Sequence, residues 1–241
     1  MENNREEMKV RGFRPWLDNF WYHHKWGTIG VIFAIIVALI CITQMCQKDE
    51  MDMYVLYGGP ESFYDGELQK NVTNAFSAVL SEDFNGDGEI KVGLVNNFIM
   101  SKEEILLDKE KRGDEDYYID PSLMSTNKKN FENLIMAGEY SFCLVSPYMF
   151  EFLKDAGGFV LISEIFDEIP DGVYEDYGIL LSETDFGRYY PGVKDLPKDT
   201  IMCVRSVGGI GALIHKGKTE EGQKQAIELI RNIVEFEAPN E

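Results

Sequence analysis

Ile29 to Ile42 is an unbroken apolar run, and with its small-residue flanks, Gly27 to Cys46, it makes a stretch of about 20 residues, enough to span a bilayer core as a helix. No other feature restricts the fold of these 241 residues as strongly. Its flanks set a direction, because the cytoplasmic end of a membrane helix carries the excess Lys and Arg. Arg5, Lys9, Arg11, Arg14 and Lys25 precede the run, whereas Gln47, Lys48, Asp49, Glu50 and Asp52 follow it. The expected arrangement is a cytoplasmic segment 1–26, a membrane helix 27–46 and an extracytoplasmic domain 47–241, in the cell membrane. Trp16, Phe20, Trp21, Tyr22 and Trp26 crowd the cytoplasmic boundary, where amphipathic rings sit at headgroup level.

A cleaved signal peptide would want a short basic start, an apolar core of about 7–15 residues and small residues before the cut. Here the basic region is 26 residues long and the exit reads Thr43-Gln44-Met45-Cys46, so an uncleaved anchor is the reading adopted. Neither Cys41 nor Cys46 has the small residue before it that a lipoprotein signal uses. Gly30, Ala34 and Ala38 recur at four-residue spacing, a pattern that lets two membrane helices approach closely but is common in such helices anyway, so a homodimer is one open reading.

Charge is sharply divided. Residues 47–241 hold 18 Lys or Arg against 38 Asp or Glu, a net of −20, while residues 1–46 hold 5 against 4. A domain that acidic repels phosphate backbones, which excludes nucleic acid as a partner. Only Cys143 and Cys203 fall in the outer domain, each inside an apolar run, too few for a disulfide-built scaffold. One bridge between them and two small buried hydrophobes are both open readings.

Helix and strand signals alternate through this domain. Met53 to Tyr57 reads as a strand ending at Gly58-Gly59-Pro60, and Leu68, Val72, Ala75, Phe76, Val79 and Leu80 form one helical stripe. A strand at Ile90 to Val95 follows the turn Asn85-Gly86-Asp87-Gly88. Charges and turn residues dominate 107–129, the signature of a mobile insertion, before a short helix closed by Gly138. Further strands are expected at Tyr140 to Val145, Gly178 to Leu181, Thr200 to Val204 and Ile210 to Ile214, with a helix at Tyr148 to Asp155 and a last one capped by Thr219. Such alternation predicts an α/β domain with a mainly parallel sheet.

Phe131, Leu134, Ile135, Ala137-Gly138-Glu139, Phe142 to Val145, Ser146-Pro147, Met149, Phe152, Gly157-Gly158-Phe159-Val160-Leu161 and Ile165 follow one another in an order that resembles the type 2 periplasmic, or extracellular solute-binding, protein family. The resemblance is strongest over Phe131 to Asp167. This chain departs from that family in a shorter outer domain and in a helical tether instead of a lipidated cysteine, which implies a reduced version of the fold. It implies a ligand at the carboxyl ends of the strands, where open α/β sheets receive solutes. The residues so designated are Tyr57, Gly58, Gly59, Pro60, Ser146, Pro147 and Tyr148.

Asp83-Phe84-Asn85-Gly86-Asp87-Gly88-Glu89-Ile90 fits the first eight places of a calcium loop, with Asp83, Asn85 and Asp87 at positions 1, 3 and 5 and the Glu89 carbonyl at 7. Position 12, where a bidentate Glu belongs, is Leu94. A structural Ca²⁺ site and a solvated turn are both open. Ser206-Val207-Gly208-Gly209-Ile210-Gly211 lacks the ending of a phosphate-binding loop, and His215 is the single histidine of the outer domain, with no nucleophile motif attached. The inventory favours a non-catalytic binding module for a small solute or peptide. A structural subunit with a membrane-protein partner is the alternative, and an enzyme ranks third.

Overall fold

The computed structural model of the chain describes residues 13–45, 51–64, 66–113, 118–207 and 209–239, the side chains of 13–15, 43–45 and 209–219 excepted. Two compact units result, Met1–Asp49 and Glu50–Glu241. The first contains α1, Phe13–Met45, a helix of 33 residues. Within it Trp16–Ile42 is long and apolar enough to cross a membrane, and none of its central stretch is buried by protein. This is compatible with a single-pass anchor or a signal sequence. Trp16 stacks on Phe20 at 5.5 Å and Phe20 meets His24 at 5.1 Å, so the aromatic boundary segment continues the same helix.

The second unit is α/β. Its strands are β1 (Met53–Gly59), β2 (Val92–Phe98), β3 (Phe142–Val145), β4 (Val173–Tyr174), β5 (Gly178–Leu180) and β6 (Ile201–Val204). Its helices are α2 (Gly66–Val79), α3 (Lys102–Arg112), α4 (Pro121–Ala137), α5 (Pro147–Asp155), α6 (Ile162–Ile165), α7 (Asp185–Tyr189), α8 (Pro191–Lys194) and α9 (Gly209–Val234). The sheet order is β2-β1-β3-β6-β5-β4.

Only β1 with β2 and β1 with β3 pair in parallel; β3 with β6, β6 with β5 and β5 with β4 are antiparallel. The sheet is therefore mixed, which corrects the expectation of a mainly parallel one. The reason is physical: Ile201–Val204 is buried at every residue, and an apolar run covered on both faces reads the same in either chain direction. A second correction concerns the end of the chain. Ile210 to Ile214, expected as a strand, lies inside α9, and Thr219 is interior to that helix instead of capping it. Short apolar runs do not distinguish strand from buried helix by period alone. The stretch 107–129 holds the end of α3 and the first half of α4, where a long insertion without secondary structure was expected; residues 114–117 lie outside the described set.

Alternation along the strands sorts the core into two layers. Val55 and Tyr57 of β1, Phe142 and Leu144 of β3, and Met202 and Val204 of β6 face one side, packing on α2 through Val72, Ala75 and Phe76 and on α9 through Ala226, Leu229, Ile230 and Ile233. Leu56, Cys143, Val145, Ile201 and Cys203 face the other, against Phe131 and Ile135 of α4 and Met149, Phe150 and Leu153 of α5. The register keeps these sets aligned, with Val55 opposite Phe142 and Phe142 opposite Val204. Helices thus cover both faces of one sheet. At about 1.5–3 kcal/mol for each large apolar side chain buried, both layers are needed to offset the entropy of ordering the chain.

Candidate functional site

After β1 the chain turns onto the face carrying α2, and after β3 it turns onto the face carrying α5. Where neighbouring parallel strands send their connections to opposite faces, open α/β sheets commonly leave a crevice at the carboxyl ends, but between β1 and β3 the junction is closed. The backbone ties these ends together: Gly58 O accepts from Ser146 N–H at 2.9 Å and Gly59 O accepts from Ile99 N–H at 2.8 Å. Gly58 has to be glycine for steric reasons, since a Cβ there would stand 2.5 Å from the Phe131 ring.

Most of the residues designated from sequence have structural partners at this junction. Tyr57 is buried, its hydroxyl accepts from Glu61 N–H at 3.0 Å, and its ring meets Phe63 edge-on at 5.0 Å. Burial, first, and the negative charges of Glu61, Asp199 and Glu104 push its hydroxyl pKa well above the usual tyrosine value. Ser146 caps α5, accepting from Met149 N–H, and Pro147 is the first residue of that helix. Tyr148 is 39% exposed, accepts from Lys128 Nζ at 3.1 Å, and shares that ammonium with the Phe152 ring. Pro60 alone of the seven lines the cavity described next.

That cavity measures about 680 Å³ and opens over the ends of β1 and β2. Its walls come from the loop after β1, the loop after β2, the inward side of α3 and the loop before β6. Glu61, Glu104, Asp108, Asp195 and Asp199 line it together with Lys111 and Arg112, over apolar Phe98 and Met100, with exposed Leu107 at the rim. Arg112 is bound to Asp108 at 2.9 Å, and Glu104 closes the capping box of α3 with Ser101. Burial raises the Glu61 carboxyl above the usual carboxylate range. None of these except Pro60 was designated from sequence. One signal did point to them: Ser101-Lys102-Glu103-Glu104 has the spacing of a capping box and announces the helix that forms one wall.

A smaller cavity of about 380 Å³ lies between the short helices α7 and α8. Arg188, Lys194 and Lys198 stand around it, but Arg188 is already bound by Glu183 and Asp185 at 3.1 and 3.2 Å.

The calcium-like loop folds around its first aspartate. Asp83 accepts from Gly88, Gly86 and Asp87 N–H at 2.7, 2.6 and 3.3 Å, and these bonds, Gly88 first, hold its carboxyl below the usual range. Gly86 and Gly88 have φ of 68° and 92°, which glycine adopts without strain. Asn85 Oδ1 accepts from Asp87 N–H, and Asp87 Oδ1 from Glu89 N–H, both at 2.8 Å. Glu89 pairs through its side chain with Lys91, and Leu94 packs on the α2 layer. Among the described residues no group of three or more His, Cys, Asp or Glu stands placed to hold a metal ion. The side chain of His215 lies outside the described set.

The chain matches no family model, no curated protein and no solved structure.

Proposed function

We propose that this chain is a non-catalytic binding protein, anchored by α1 with its N-terminus in the cytoplasm, whose outer domain takes a small solute or peptide in the cavity over the ends of β1 and β2. The observation that carries this reading is the cavity's position. It combines a volume within the about 300–1,000 Å³ of ligand sites with the strand ends where open α/β sheets receive ligands. The resemblance of Phe131 to Asp167 to solute-binding proteins supports the same reading. Five carboxylates and two cations in the lining suit a solute that carries an amine together with a carboxylate, such as an amino acid or short peptide.

A second reading, an interaction subunit with a membrane-protein partner, is favoured by one observation. Leu106 and Leu107 of α3 are 62% and 56% exposed beside the cavity mouth. Thermal unfolding of the full chain in detergent, against amino acids, cationic dipeptides and sugars, separates the two. A bound solute at 100 times its dissociation constant adds about 2.7 kcal/mol, which is roughly 5–10 °C in a domain of this size. The expected result is a shift with amino compounds that is lost in Asp199→Asn. A flat panel would overturn the solute reading and favour the partner.

A further inference from the structure

β3 and β6 set Cys143 and Cys203 directly opposite one another on adjacent antiparallel strands. Both are fully buried thiols on the same face of the sheet, in the layer under α4 and α5. Directly opposed residues hold their Cβ atoms about 4.5–5.5 Å apart, and a disulfide closes at about 3.5–4.5 Å, so the strands need to draw together by on the order of 1 Å. Gly178 of the adjoining β5 makes room for the Cys203 side chain, since a Cβ there would stand 3.1 Å from its Sγ.

Arg205 stands two residues beyond Cys203. It is 3% exposed, donating from Nε to Tyr140 O at 2.9 Å and from Nη1 to Ser206 O at 3.0 Å, while Nη2 has no partner among the described residues. No carboxylate pairs with it among the described residues. Burial pushes the Cys143 thiol up to about 12, and the Arg205 charge opposes that shift. In the closed core the Cys143 thiol is therefore a poor nucleophile, which places any oxidation before that closure.

We infer that Cys143 and Cys203 become joined by a cross-strand disulfide when the chain matures in an oxidising compartment, the bond forming as β6 docks on β3. The inference rests on the extracytoplasmic placement of the domain. Because both sulfurs are sealed in the folded protein, the oxidant acts before the layer under α4 and α5 closes. A Cys143 thiolate attacks a small disulfide such as oxidised glutathione, releasing one glutathione thiolate. Cys203, giving its proton to solvent, then attacks the Cys143 sulfur of the mixed disulfide and releases the second. Two protein S–H bonds are lost, one S–S bond forms, and the two electrons reside on two reduced glutathiones.

The test uses the full chain in detergent with Cys41→Ser and Cys46→Ser, so that only this pair reacts. Protein is reduced, unfolded, refolded with mixed reduced and oxidised glutathione, then denatured, alkylated and digested. The expected product is a Cys143–Cys203 cross-linked peptide, about 2 Da lighter than its two reduced halves. Its melting temperature should exceed that of reduced protein by roughly 5–15 °C. Two alkylated cysteines, or a glutathione adduct, in protein with a cooperative melting transition would overturn the inference. Should the reduced chain not refold, the same alkylation of protein extracted from membranes decides between linked and free. Labelling of Lys198→Cys by an impermeant maleimide on intact cells reads the side of the membrane separately. Absent labelling overturns the placement and leaves the glutathione result to stand on its own.

Discussion

Asp83 shows how one carboxylate organises a loop. Three backbone N–H groups converge on it, and Asp52 holds the loop's two ends by accepting from Asn85 and Lys91 N–H at 3.0 and 2.7 Å. These bonds tie the loop backbone to the carboxylate directly, so Asp83→Ala is expected to lower the melting temperature at pH 7 in chelator as well as in millimolar calcium. A deficit seen only in calcium would instead make the loop a cation site. The pH dependence has a definite sign. Because the folded-state carboxyl is held below its unfolded value of about 3.9, its contribution is complete above that value and disappears as pH falls through the folded one. The wild-type advantage over the alanine variant should therefore shrink below about pH 4, a trend that melting curves across pH would show. The five loop hydrogen bonds described follow from Asx spacing that the sequence displays, whereas the Asp52 clamp joins residues 33 and 39 positions apart and has no local signature.

Among the elements, α3 is unusual in burying no residue. Its stability is local: Ser101 accepts from Glu104 N–H, the Glu104 carboxylate accepts from Ser101 N–H, and Gly113 closes the other end in a left-handed conformation. An N-cap of this kind contributes about 0.5–2 kcal/mol to its helix. Ser101→Ala should accordingly raise hydrogen exchange across Lys102–Arg112 several-fold while moving the global melting temperature by less than about 2 °C. Equal loss in α2 would show that α3 is part of the cooperative core. Elements with an amphipathic stripe, such as α2, were legible in the sequence, and β1, β3 and α5 fell within a residue or two of their runs. The caps of α3 and the Asp120-Pro121 start of α4 were equally visible, yet their charge-rich surroundings imitate a surface loop. The start of α9 was not legible, because Ile210 to Ile214 matches both periods.

For the molecule as a whole, the division into Met1–Asp49 and Glu50–Glu241 carries a prediction of its own. Residues 50–241 alone should melt in one cooperative transition within about 3 °C of the full chain in detergent, since both core layers share one sheet. Two resolved transitions would mean that the layers unfold separately. The presence of an anchor-length helix and an α/β domain was readable from patterning, but strand direction was not. Pairing of β3 with β6 is a choice made by distant parts of the chain, and nothing within either run records it. The cavity escaped notice for the same reason: its walls, loops and one helix, run from Pro60 to Asp199, and only the sheet order brings them together.

The position of β6 between β3 and β5 also sets a timetable. At about 5–20 residues per second, the ribosome needs roughly 3–11 s after finishing Val145 to reach Ile201, and longer still to complete the buried turns of α9. Through that interval a half-built sheet waits with one long border unsealed and its apolar surfaces bare. For a sheet assembled in this order, the hazard of sticking to a neighbour is concentrated in those seconds of birth, and a passing chaperone would matter more then than at any later moment in the protein's life.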